Sequence, residues 1–242
     1  MNTVVLSTAN AKTDKNNVLR LNLTTNLKLE NNLISLNHLN IYYNWKNFKA
    51  EYGNTAFEYT HVRSNIIYKV RIPDGSYSVS DLNNFIHHNM QANKFENADG
   101  SFDINIYPNN VYNRVTITVS NDFILNLSDG LMTTLGFDSS QKNITNTEIN
   151  GNLVPKLERV ESVQVLCNLV DNRVTHDSSV LYTFTPDKAF GSLLTIKPYF
   201  KESVYCRNAT FNYIEIQFMD QDGRDLSVED NILVRLGVID AK

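Results

Sequence analysis

Five histidines, two cysteines and scattered carboxylates are the side chains of this 242-residue chain that could do chemistry. His87 and His88 are adjacent and project to different sides of a helix, whereas a helical zinc pair needs ligands about four residues apart. They read as solvent-facing or edge residues, and His38, His61 and His176 each stand alone as packed or surface histidines. Cys167 and Cys206 are too few and too isolated for a disulfide framework or a zinc site, so both read as reduced packing residues. The run Asp220-Gln221-Asp222-Gly223-Arg224-Asp225 superficially suggests a calcium loop, but its glycine stands fourth where an EF-hand needs it sixth, which leaves an Asp-Gly hairpin turn. Glu158 with Glu161, or Asp220 with Asp222, could be offered as the two carboxylates of a glycosidase. Acids this close in sequence are usually solvated, and no nucleophile elbow, helical zinc motif or glycine-rich phosphate loop accompanies them. The expectation is a protein with no catalytic residue, no metal site and no cofactor.

What would hold such residues in place is a mid-sized soluble domain. Hydrophobic residues make up 42% and charged residues 20%, with no apolar run near the roughly 20 residues that span a bilayer. A formal net charge of -4 and no cluster of Lys or Arg argue against direct contact with nucleic acid. The opening MNTVVLSTANAKTDKNN lacks the basic flank and apolar stretch of a signal peptide, and residues 1–17 read as a flexible polar arm ahead of one domain over 18–242. Asparagine fills 34 of 242 positions, so the sequons at Asn22, Asn126, Asn143 and Asn208 read as chance.

Period-two patterning dominates the chain. Leu27 to Tyr43 alternates around Asn31-Asn32 and predicts two strands paired through that turn. Further strands are predicted at 65–72, 102–106, 114–119, 160–169, 193–196, 211–219 and 232–238, with a polar surface loop at 139–152. One helix is predicted over about 79–93, where Ser78 and Asp81 can form a capping box and Leu82, Phe85, Ile86 and Met90 make an apolar stripe. A second helical turn precedes Gly136. About eight strands without a βαβ rhythm predict an all-β fold of two antiparallel sheets, with one or two short helices in its connections. Strand count and length favour a single jelly-roll sandwich or barrel over an immunoglobulin-like sandwich. The cluster Tyr42, Tyr43, Trp45, Phe48 and Tyr52 reads as core or as subunit contact; of these, Tyr42, Trp45 and Phe48 are the candidate interface.

IPDGSY followed by a Ser-capped helix, then VTITV, LSDGLMTTLGF, FGSLLTIKPYF, YIEIQFMDQDGRDLS and ILVRLGV, stand in that order. This series resembles the penton or minor capsid proteins of Polinton (Maverick) elements, adintoviruses and virophages. The matching positions are Pro73, Gly75 and Tyr77; Leu135, Gly136 and Phe137; and Asp220 and Gly223. The resemblance implies a non-enzymatic single jelly roll in the virion, assembled inside the host cell. It implies a homopentamer at the icosahedral vertices, beside a double jelly-roll major capsid protein. Adenoviral pentons carry an Arg-Gly-Asp loop, whereas this chain has Gly223-Arg224-Asp225, so receptor reading is not carried over. The competing reading is a jelly-roll module that binds carbohydrate or a receptor through its loops.

Overall fold

A computed structural model describes residues 2–13, 18–138, 140–171, 179–200, 202–228 and 231–241. The chain forms two compact units, one built from 1–45 with 160–242 and the other from 46–159, where a single domain over 18–242 is expected.

In the first unit, β1 (Asn2–Ser7), β2 (Lys12–Thr13), β3 (Leu19–Leu29) and β4 (Asn32–Tyr42) precede the second unit. The second unit holds β5 (Ala56–His61), β6 (Ile66–Arg71), α1 (Val79–Ala92), β7 (Ile104–Asn109), β8 (Arg114–Val119), β9 (Phe123–Leu127), α2 (Asp129–Leu135) and β10 (Thr147–Asn150). The first unit resumes with β11 (Val163–Cys167), β12 (Val180–Phe184), β13 (Leu193–Ile196), β14 (Val204–Tyr205), β15 (Ala209–Asp220) and β16 (Leu233–Asp240).

The first unit is a jelly-roll sandwich. Sheet A runs β1-β16-β4-β13, with β14 also on β4, and sheet B runs β12-β11-β15-β3-β2. One core joins them: Ile34, Leu36, Leu39 and Ile41 of β4 with Val234 and Leu236 of β16 on one side, and Leu19, Val163, Val165, Ile214, Ile216 and Phe218 on the other. β11 and β15 alternate buried and partly exposed positions, as a strand with one face on a core must, whereas β4 and β16 each bury three consecutive residues beside the bulge at Arg235 and Leu236.

Two expectations fail here for the same reason. β3 and β4 flank the Asn31-Asn32 turn but do not pair: β3 pairs with β15 and β2, and β4 with β16, β13 and β14. The turn carries the chain from one sheet to the other, with Asn31 at φ 52. The polar arm is likewise a strand over part of its length, since Asn2 to Ser7 pairs residue by residue with β16 and Leu6 is fully buried. In both cases the partner lies far along the chain, where local periodicity carries no information about it.

The asparagine excess has a structural use. Six of the seven described non-glycine residues with positive φ are Asn31, Asn65, Asn113, Asn143, Asn146 and Asn231. Asparagine tolerates the left-handed region better than most L-residues because its short polar side chain can bond locally.

The second unit contains sheets β6-β5-β9 and β10-β8-β7, the latter with a strand inside the stretch expected to be a polar loop. The predicted helix is α1, capped by reciprocal Ser78–Asp81 bonds, and Val79, Leu82, Ile86 and Met90 are buried. It lies along β7, where Asn83 Oδ1 accepts from the Ile106 backbone N–H at 2.7 Å and so closes that sheet edge.

Candidate functional site

The motif positions all turn out to be turns that fix other elements. In the second unit, the segment 47–50 clamps the Pro73–Tyr77 turn. Phe48 and Gly75 exchange two backbone hydrogen bonds of 3.0 Å each, and Asn47 bonds both the N–H and the carbonyl of Tyr77 at 2.9 Å. The Tyr77 hydroxyl donates to the Pro73 carbonyl at 3.0 Å, and its ring meets Phe48 edge-on at 5.3 Å. This clamp sets the chain direction just before the Ser78 cap and therefore aims α1.

The Leu135-Gly136-Phe137 turn ends α2. Gly136 has φ 81, and the Phe137 N–H reaches back to the Met132 carbonyl at 2.9 Å, satisfying a carbonyl that the helix end leaves open. Leu135 and Phe137 point into the core at 0% and 1% exposure. A Cβ on Gly136 would lie 2.4 Å from the Leu153 carbonyl oxygen, so the close approach needs glycine as much as the dihedral does.

The third motif, in the first unit, is the turn after β15. Asp220 is 3% exposed, and its Oδ1 accepts from the N–H groups of Asp222 and Arg224 at 2.9 and 2.8 Å while Gly223 takes φ 76. The carboxylate serves the turn backbone, the hairpin role expected of it. Among the described residues no group of three or more His, Cys, Asp or Glu could hold a metal ion.

The candidate interface residues fall in different surroundings. Trp45 is 5% exposed within the core of the first unit, its ring 4.5 Å from that of Tyr43. Phe48 is fully buried in the core of the second unit, and Tyr42 is half-buried at the end of β4, opposite Leu193. The rings of Trp45 and Phe48 are thus taken up by packing inside their own subunit, as the core reading of this cluster requires.

His87, expected to be a solvent-facing or edge residue, lies against β7, an edge strand of its sheet. It is half-buried and stacks on Phe102 at 4.3 Å, while Nε2 lies 3.2 Å from the Ile104 carbonyl and 3.0 Å from Asn105 Oδ1. His88 is exposed; His38 is half-buried, as is His61 beside Phe95 and Phe123. His176 lies outside the described residues. Glu158 and Glu161 are both exposed. Cys167 and Cys206 are buried and unpaired, and burial pushes their thiols up to about 12 and about 11, so neither supplies a thiolate near neutral pH. A thiol reagent added to the native protein is expected to titrate neither cysteine, and to titrate both after denaturation. Rapid native labelling would contradict this packing.

The second unit also has an open groove of about 650 Å³ across β5, β6 and β9, lined by Glu58, Lys69, Asn126, Asp129, Lys142 and Asn143 among others. Its one aromatic ring, Phe57, is 4% exposed, so it offers no stacking face of the kind that recognises a sugar. The features that sequence patterning missed are exposed aromatics: Tyr199 and Phe200, at 92% and 78%, stand at the end of FGSLLTIKPYF. Adjacent aromatics following Lys197-Pro198, beyond the last alternating position of β13, were the available signal.

No known protein-family profile matches the chain, and no curated protein does. Among solved structures, it is similar to the crystal structure of the mavirus penton protein, with a TM-score of 0.51 at 12% identity, over 98% of this chain and 99% of that one. It is also similar to a chain in the cryo-EM structure of the Sputnik virophage, with a TM-score of 0.48 at 10% identity, over 99% and 98%. From end to end, this chain shares its fold with the mavirus penton protein.

Proposed function

We propose that the chain is a structural capsid protein of penton type, a minor component that forms homopentamers at icosahedral vertices beside a double jelly-roll major capsid protein. The observation that carries the reading is the match to the mavirus penton protein, because it covers nearly all of both chains and leaves no large segment of either unaccounted for. The side chains agree with an assembly role: the buried carboxylate holds a turn, the thiols are sealed in the core, and the motif residues serve turns. On this reading the protein resides in the virion and is assembled inside the host cell. Light scattering on the purified chain tests it. The expected mass is about 138 kDa, five times the 27.6 kDa of the chain. A monomer at all accessible concentrations would overturn the pentamer.

A further inference from the structure

The first unit distributes its exposed apolar surface unevenly. Among the described residues, its large apolar side chains that stand exposed are Val5, Phe190, Tyr199, Phe200, Tyr205 and Ile239, and each of these lies on a strand of sheet A or on a turn flanking one. The outer face of sheet B carries Arg20, Asn22, Gln164, Glu215 and Gln217 interspersed with half-buried Leu166, Tyr213 and Met219, and no described large apolar side chain stands exposed on it. On sheet A, Ile239, Leu33 and Tyr205 are direct cross-strand neighbours and point outward as one apolar row, since Val238 and Ile34 beside them point into the core.

The two edges of sheet A differ in kind. At one edge, Tyr199 and Phe200 project from the connection between β13 and β14, their rings in contact edge-on at 4.9 Å, and Tyr205 follows on β14. These three rings, 92%, 78% and 59% exposed, leave on the order of 450 Å² open at about 200 Å² per ring. That is more than half of the roughly 800 Å² each partner contributes to a standard interface. The opposite edge is β1, six residues without a charge or a proline, with Val5 outward and one side of its backbone paired to β16. On its free side the Asn10 side chain accepts from the Ser7 N–H at 2.7 Å and donates to the Val5 carbonyl at 3.0 Å, so that end of the edge is closed, and Thr3 lies beyond the cap on a strand with none of the lysines, prolines or bulges that ordinarily guard an edge against pairing with another chain.

We propose that sheet A joins copies of this chain head to tail, the aromatic edge of Tyr199, Phe200 and Tyr205 in one copy seating on the β1 edge of the next. The occupant is a second copy because both complementary surfaces lie on one sheet of one subunit, and a contact between unlike surfaces is what a closed ring repeats. No charge on β1 opposes the docking of apolar rings. The inference rests on the self-assembling reading above and assigns the surface that performs it.

Three full-length chains test it: wild type, the double variant Tyr199→Ser/Phe200→Ser, and Val5→Lys. Each variant alone is expected to associate at least about thirtyfold more weakly than wild type, with its far-ultraviolet circular dichroism unchanged because the altered side chains face solvent. Mixing the two variants is expected to give dimers, since one supplies an intact β1 edge and the other an intact aromatic edge. Should Val5→Lys destabilise the fold, Thr3→Lys, at an exposed position of the same strand, replaces it. A wild-type oligomer whose mass both variants retain would overturn this surface while leaving self-assembly intact. Two monomeric variants that stay monomeric when mixed would overturn the head-to-tail contact. A monomeric wild type would overturn this inference together with the reading it rests on.

Discussion

Trp45→Ala is expected to destabilise the subunit by about 3–5 kcal/mol, the usual consequence of truncating a large buried aromatic side chain, and not to release stable folded monomers. Trp45 is packed on Tyr43 in a core shared with residues of both sheets of the first unit, so the change leaves a cavity whose walls belong to different strands. The expected readout is a melting temperature lower by roughly 10 °C, at about 2–4 °C per kcal/mol for chains of this size. Trp45→Phe sharpens the test. The indole Nε1 is buried with no hydrogen-bond partner among the described residues, a state that costs about 1–3 kcal/mol. Phenylalanine removes that cost while keeping most of the packing, so its net effect is expected to be within about 1.5 kcal/mol. A folded, thermally stable monomer from Trp45→Ala would instead mean that the ring acts between subunits.

Gly136→Ala is expected to cost about 3 kcal/mol or more, from two effects that a control can separate. Holding alanine at a positive φ costs roughly 1–2 kcal/mol. In addition, the new Cβ would lie 2.4 Å from the Leu153 carbonyl oxygen, a backbone atom that cannot rotate away, and would press on the hydrogen bond of 2.9 Å that the Leu153 N–H donates to the Gly136 carbonyl. Gly53→Ala supplies the first effect alone, because Gly53 has φ 66 with nothing within 4 Å of its virtual Cβ. Urea unfolding of both variants should show Gly136→Ala the more destabilised by well over 1 kcal/mol. Equal losses would show that the neighbouring chain yields and that only the dihedral matters.

These two positions mark where local reading works and where it stops. Gly136 was legible because a helix C-terminus is a local event: an apolar periodic run, a glycine and an aromatic residue specify an αL cap without reference to the rest of the chain. The same holds for α1, whose Ser78–Asp81 capping box and apolar stripe lie within a few turns, for the Asp220–Gly223 turn, and for β8 and β13, which the structure places at the predicted bounds. Trp45 was ambiguous because a buried core aromatic and an interface aromatic have the same composition and the same flanks. They differ only in what stands opposite, which the fold alone supplies.

Local patterning is enough to establish the class of the molecule: strands from period-two alternation, two short helices from their caps, turns from glycine and asparagine, and an ordered set of motifs that the jelly-roll fold accommodates. Which strands become neighbours depends on the folded whole. Leu19–Leu29 and Asn32–Tyr42 look like a hairpin because both alternate around a good turn, yet they belong to opposite sheets. Asn2–Ser7 looks like part of an arm because the strand that completes it begins at Leu233. A β-strand spends half of its specification on a partner, and backbone hydrogen bonding is blind to side-chain type. Pairing across more than 200 residues is therefore set by how two whole sheets bury one core, and no window of the sequence contains that information.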